Sequence, residues 1–135
     1  MKTPKEIFEL MYDNDPYSKV LGMQLIEISE GNCKLSLKVS SGMLNGFGIA
    51  HGGITYALAD SALAFASNSR GIQSVSIETS INHLKKVVEG DVLVATTTEM
   101  SLTGKTALYI IHIVNHENVA VAFFKGTVFR TGKEW

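Results

Sequence analysis

The run Asn45–Asn68, NGFGIAHGGITYALADSALAFASN, decides how this chain folds, because a glycine-rich turn, a helix start and a single carboxylate follow one another without interruption. Gly46, Gly48, Gly52 and Gly53 leave the first part free to adopt positive φ and to approach a ligand closely. From Ile54 to Arg70 the pattern becomes helical. Alanine and serine dominate it, at Ala57, Ala59, Ser61, Ala62, Ala64, Ala66 and Ser67, so neighbouring backbone can pack close on several sides. Asp60 stands in the middle.

At helical spacing, the face around Asp60 holds Gly53, Tyr56, Ala57, Leu63, Ala64 and Ser67, while Ile54, Leu58, Ser61 and Phe65 form an adjoining apolar stripe. No Lys or Arg lies three or four positions away. A helix that is small and apolar right round is expected to be buried. A carboxylate there must either point at water or serve a purpose that offsets its desolvation. The bland alternative is an ordinary solvated aspartate, and the composition of the helix argues against it.

The rest of the chain sets broad limits. Its 135 residues fit one domain, spanning 1–135. With 12 basic and 13 acidic residues, a net charge of −1 gives no field for nucleic acid and no basic patch for a membrane surface. No apolar run approaches the ~18 residues of a spanning helix and the N-terminus lacks a signal-type apolar core, so a cytoplasmic protein is expected. The single cysteine, Cys33, rules out an intrachain disulfide, and its alternation with Leu35, Leu37 and Val39 places it in the core. His51, His83, His112 and His116 show no HExxH spacing and no cysteine partners, so neither a metal nor another cofactor is expected.

Thr3, Pro4 and Glu6 predict a capped helix that runs to about Asn14, where Asp15 and Pro16 stop it. Two strands follow as a hairpin, about Met23–Ser29 and Cys33–Val39. After the central helix, which Gly71 ends, strands are expected over about Ser74–Leu84, Asp91–Leu102, Lys105–Asn115 and Val119–Arg130. One buried small-residue helix among five or six antiparallel strands implies an α+β hotdog fold, a curved sheet wrapped round one long helix, with a short N-terminal helix in addition. From about Gly22 to Arg130 the chain resembles the hotdog acyl-CoA thioesterases of the phenylacetic-acid-degradation type. The resemblance rests on Asn45, the His51-Gly52-Gly53 turn, Leu58-Ala59-Asp60, Ser67-Asn68, Val75-Ser76-Ile77-Glu78 and the strand from Ala122 to Arg130.

That resemblance implies hydrolysis of a thioester, which needs an activated water or a carboxylate nucleophile together with a stabiliser for the oxyanion. Asp60 can supply the first, as general base or as nucleophile. Gly52 can supply the second, since its amide lies at a helix start, where free N–H groups and the helix dipole favour negative charge. A thiol leaving group with a pKa of about 8.5 departs as thiolate without a strong general acid. Gly52 and Asp60, however, are eight residues apart, on the order of 12 Å along one helix. If both act on one carbonyl, two antiparallel copies of the helix must meet, which calls for at least a dimer with two equivalent composite sites. The family resemblance implies the same arrangement, with Asn45 and Gly52 from one subunit and Asp60 and Ser76 from the other, in a dimer or tetramer.

By the same resemblance Asn45 holds the water or the carbonyl region, Ser76 hydrogen-bonds the water or carboxylate, His51 joins the catalytic set chiefly by orienting the turn, and Gly53 contributes to substrate binding. Coenzyme A, the phosphate-bearing half of the implied acyl-CoA substrate, calls for cations at the pocket mouth. Lys85, Lys86, Lys105, Arg70 and Arg130 are the candidates. Many relatives have Arg-Pro where Lys85-Lys86 stands here. Aryl-acetyl or medium-length acyl groups are expected, selected by the N-terminal helix and by channel-lining side chains such as Leu44, Phe47, Tyr56 and Leu63, which core packing explains equally well. The competing reading is a hotdog module that binds acyl-CoA without turnover, which would gain nothing from an unpaired Asp60. A hotdog dehydratase would need a histidine paired with an acid at another spacing.

Overall fold

In the computed structural model, which describes residues 1–135, helix α1 spans Pro4–Asp13 and carries the capping box that its sequence implies. The Glu6 amide donates to Thr3 Oγ1 at 3.2 Å, and the Thr3 amide donates to Glu6 Oε2 at 2.7 Å. Asp15 and Pro16 end this helix as expected, yet the same pair starts another that the sequence reading lacks. Asp15 Oδ1 accepts from the Ser18 amide at 3.0 Å, and Pro16 opens the five-residue helix α2, Pro16–Val20. An N-cap aspartate followed by proline begins helices as readily as it stops them.

Strands β1 (Gln24–Ser29) and β2 (Asn32–Lys38) form the expected hairpin. Helix α3 then runs Gly52–Asn68, two residues earlier at each end than the periodicity suggests. Its early start comes from His51, whose Nδ1 accepts from the Gly53 amide at 3.0 Å and caps the helix. Gly71 sits beyond the end at φ +89, a left-handed geometry that glycine adopts without the Cβ penalty. Strands β3 (Ile72–His83), β4 (Val92–Leu102), β5 (Thr106–Val114) and β6 (Ala120–Glu134) complete the chain, the last extending past Arg130. No helix is long and apolar enough to cross a membrane.

All six strands join one antiparallel sheet in the order β1-β2-β4-β5-β6-β3, curved round α3 in the α+β hotdog arrangement. Alternation sets the core: Leu35, Leu37, Leu93, Ala95, Tyr109, Ile111, Ile113, Ala122, Phe124 and Val128 face inward and are fully buried. They meet Leu58, Ala59, Ala62, Leu63 and Ala66 of α3, whose small side chains let helix and sheet approach closely. Each buried Leu, Ile or Phe contributes roughly 1.5–3 kcal/mol by leaving water. Cys33 belongs to this core, and burial pushes its thiol up to about 12, which keeps it protonated.

The strand that follows α3 in sequence crosses to the far edge of the sheet, where β3 pairs only with β6. In that register Ser76, Thr79, Ile81 and His83 oppose Val128, Gly126, Phe124 and Ala122, all on the inner face. One edge strand therefore carries a line of polar side chains along α3.

Candidate active site

The first part of the site is the start of α3. Gly52 is its first residue, so the Gly52 amide has no carbonyl one turn back to donate to and faces out along the positive end of the helix dipole. The next amide is spent: Gly53 donates to His51 Nδ1. Gly52 is exposed and lines a cleft of about 340 Å³ together with Asn45, Thr55, His83, Lys85 and Lys86. Asn45 uses its Oδ1 to fix the preceding turn, accepting from the amides of Phe47 at 2.9 Å and Ile49 at 3.4 Å. Its Nδ2 makes no hydrogen bond within the chain and is left to donate into the cleft.

His83 is the member of this cleft that the sequence reading left without a role. Its ring lies against Gly52, with Nε2 3.2 Å from where a β-carbon on that glycine would stand. Thr55 Oγ1 donates to the Gly52 carbonyl at 3.0 Å and lies 3.2 Å from His83 Nδ1. The Thr55 hydroxyl thus sits between the Gly52 carbonyl and the imidazole and holds the His83 ring against the helix start. Nothing local in the sequence marks this contact, because 31 positions and a change of sheet edge separate Gly52 from His83.

The second part of the site is Asp60. It is half-buried, forms no salt bridge and accepts no hydrogen bond within the chain, and desolvation raises its carboxyl above the ordinary value of 3.8. Two adjoining clefts meet at it. One, of about 260 Å³, brings Asp60 together with Ser76 from the inner face of β3, beside Leu63, Ser67 and Val128. The other, of about 500 Å³, runs under α1 and α2 past Leu10, Met11 and Phe65. A carboxylate without a cation and short of water is a stronger base than a solvated one.

The structure thus brings Asn45, Gly52, Lys85 and Lys86 into one cleft and Asp60 and Ser76 into another, with His51 and Gly53 forming the cap between turn and helix. It does not bring Arg70 or Lys105 to either. Arg70 follows the opposite end of α3, where its Nη2 donates to Glu99 Oε1 at 2.8 Å, its Nε donates to Oε2 of the same carboxylate at 3.2 Å, and Nη1 reaches Glu30 at 3.5 Å. Glu99 also accepts from the Tyr109 hydroxyl at 2.7 Å, so this charge locks β4 and β5 to the helix end. Lys105 is exposed in the β4–β5 turn, where its carbonyl accepts from the Arg130 amide and Arg130 Nη1 donates to Thr103. Of the expected acyl-selecting side chains, Leu63 is core, Tyr56 is tied to Thr79, and Phe47 is 91% exposed on the turn.

An unpaired carboxylate in the middle of the central helix and a free amide at its start thus lie within a hotdog sheet. The chain belongs to the thioesterase superfamily, whose family model matches residues 47–122. More narrowly it is a PaaI-like hotdog thioesterase: it is 38% identical to the acyl-coenzyme A thioesterase PaaI of Escherichia coli over 122 residues, 90% of this chain and 87% of that protein. The solved structure of that E. coli protein superposes with a TM-score of 0.94 at 36% identity, covering 97% of this chain and 95% of that one. A Streptococcus mutans protein solved bound to acetyl CoA superposes at 0.81 with 28% identity, covering 84% and 92%.

Proposed function

We propose that the protein hydrolyses aryl-acetyl or medium-chain acyl-CoA thioesters at composite sites, each assembled from two copies of the chain. The observation that carries this reading is the position of Gly52 and Asp60 in different clefts, ~12 Å apart along one rigid helix. Neither cleft alone holds both a base and an oxyanion donor. Two antiparallel α3 helices, related by a two-fold axis, supply both. The free edge of β3 suits such an axis: it is 12 residues long, pairs on one side only and exposes Val75 and Ile77 by 57% and 60%. A long strand edge left open is a template for pairing with another strand.

In this site the thioester carbonyl lies against the Gly52 amide, with Asn45 Nδ2 as a second donor. Asp60 of the other copy deprotonates water or attacks the carbonyl carbon, and Ser76 beside it hydrogen-bonds the water or carboxylate. As the carbon becomes tetrahedral, negative charge develops on the oxygen at the helix start, where the dipole and unpaired N–H favour it. Collapse breaks the C–S bond and expels CoA thiolate, leaving free acid on the water route and, on the nucleophilic route, an Asp60 anhydride that water then hydrolyses to free acid. Lys85 and Lys86, at the mouth of the Gly52 cleft, meet the phosphates of the departing coenzyme. The relatives solved with acetyl CoA or named for acyl-CoA hydrolysis support this substrate class.

A panel of acyl-CoA thioesters, assayed for free thiol, tests the activity, and thiol release from none of them would refute it. Subunit complementation tests the composite site. Asp60→Asn and Gly52→Ala chains, each impaired alone, should together recover roughly a quarter of wild-type turnover, since about half of the dimers are mixed and each mixed dimer carries one intact site of two. A fully active monomer by light scattering, or no recovery on co-expression, would refute the shared site.

A further inference from the structure

The larger cleft at Asp60 is lined by Trp135, the chain's single tryptophan, which none of the residues already discussed explains. We propose that Trp135 is the end wall of the acyl pocket and sets the length of acyl group that the enzyme accepts. This rests on the thioesterase reading above, with Asp60 at the reacting end.

The walls of this cleft are held by hydrogen bonds at two sides and by aromatic packing at a third. On the α2 side, the Ser18 hydroxyl donates to Asp15 Oδ2 at 2.6 Å and lies 3.0 Å from Ser61 Oγ, one residue beyond Asp60. On the α1 side, Phe8 packs edge-on against Phe65 with ring centroids 4.7 Å apart. At the far end, Trp135 Nε1 donates to Asn68 Oδ1 at 2.9 Å, and its backbone amide donates to the Gly71 carbonyl at 3.1 Å. Asn68 is itself fixed: it is 2% exposed, its Nδ2 donates to the carbonyls of Ala64 and Ser74, and its Oδ1 also accepts from the Ser74 amide. An indole held through both its ring nitrogen and its backbone is a rigid stop.

The reach follows from the helix. Asp60 and Asn68 are eight residues apart on α3, so the pocket extends no more than ~12 Å from the carboxylate before it meets the indole. That length and the volume of about 500 Å³ suit an aryl-acetyl or medium acyl group. A longer chain must displace an anchored aromatic. Removing one methylene-sized obstacle in such a pocket changes selectivity by about 10–200-fold.

Two measurements test the wall. Trp135→Ala should raise the ratio of kcat/KM for decanoyl-CoA to that for butyryl-CoA by about ten-fold or more, while Trp135→Phe, which keeps a ring there, should hold the ratio near wild type. Parallel losses on both substrates, or a Phe variant that behaves like the Ala variant, would overturn the proposal. Because Trp135 is the only tryptophan, the intact protein reports occupancy directly. Titration with S-hexyl-CoA, a thioether that cannot be hydrolysed, should blue-shift the emission, whereas coenzyme A alone should leave it unmoved. An unshifted emission at saturating S-hexyl-CoA, or an equal shift with coenzyme A, would also overturn it. Absence of thiol release from every thioester would instead refute the underlying thioesterase reading, without bearing on the emission result.

Discussion

Asp60→Asn keeps the shape of the side chain and removes its charge, and the structure predicts that activity and stability then move in opposite directions. Asp15 is the other carboxylate bordering the clefts that meet at Asp60, and both its oxygens are engaged, Oδ1 by the Ser18 amide and Oδ2 by the Ser18 hydroxyl. No other carboxylate at these clefts is free to substitute. Turnover should therefore fall by the full contribution of a positioned base, about 10²–10⁴-fold, or ~2.7–5.5 kcal/mol of transition-state stabilisation. Stability behaves differently because the carboxyl is raised by burial and has no cation to repay it. A group whose folded pKa lies above its unfolded value destabilises the native state when ionised. That penalty is present above the folded pKa, fades as pH falls through it and is gone below the unfolded value near 3.8. At pH 7 the Asn variant should be the more stable protein, with the difference closing on acidification. Wild-type kcat/KM should rise with pH through a carboxyl value above the ordinary range, and the variant should lack that limb. Thiol release across a pH series, paired with urea midpoints, reads both effects. Turnover within about three-fold of wild type would refute the base assignment, and a less stable variant at pH 7 would refute the unpaired, desolvated carboxylate.

Gly52→Ala would place a methyl 3.2 Å from His83 Nε2, and because His83 is exposed and alanine favours helix by roughly 0.5–1 kcal/mol, the melting temperature should hold. Its kcat/KM should nevertheless drop on the order of 10–100-fold as the carbonyl is pushed off the amide, and a matching fall in Tm would mean misfolding instead. Gly126→Ala would bring a β-carbon to 2.5 Å from Leu63 Cδ2, in a core where Leu63 is 1% exposed, and should cost about 1–3 kcal/mol by denaturant titration. Adding Leu63→Ala should give a double variant less destabilised than the sum of the two, and strict additivity would refute the clash. Arg70→Leu should cost about 1–3 kcal/mol by leaving Glu99 with Tyr109 alone. It should leave KM for the CoA thioester unmoved, and a raised KM would return Arg70 to the coenzyme site.

Much of this molecule is local and so was readable in one dimension. The capping box at Thr3, the hairpin, the left-handed Gly71 and the alternation of Cys33, Leu35 and Leu37 each depend on residues a few positions apart. The same holds for the spacing of Gly52 and Asp60, which one helix fixes whatever surrounds it. Short elements were lost where one signal has two meanings, as when Asp15-Pro16 stopped one helix and began the next. Helix α3 begins ahead of its apolar periodicity because His51, outside the preferred N-caps, serves as one.

Charge alone did not say where a cation would go. Lys85 and Lys86 lie at the Gly52 cleft, whereas Arg70 is spent on Glu99, since a guanidinium is placed by whichever carboxylate the fold brings within reach. Likewise His83 meets Gly52, Ser76 faces Asp60 and Trp135 closes the large cleft because β3 and β6 lie side by side at the edge of the sheet. Periods of 2 and 3.6, with the caps, set the central helix, its lone carboxylate and the strands around it. Tertiary structure alone decided which distant side chains join them, because strand order and register are settled by long-range pairing and burial that no local pattern encodes.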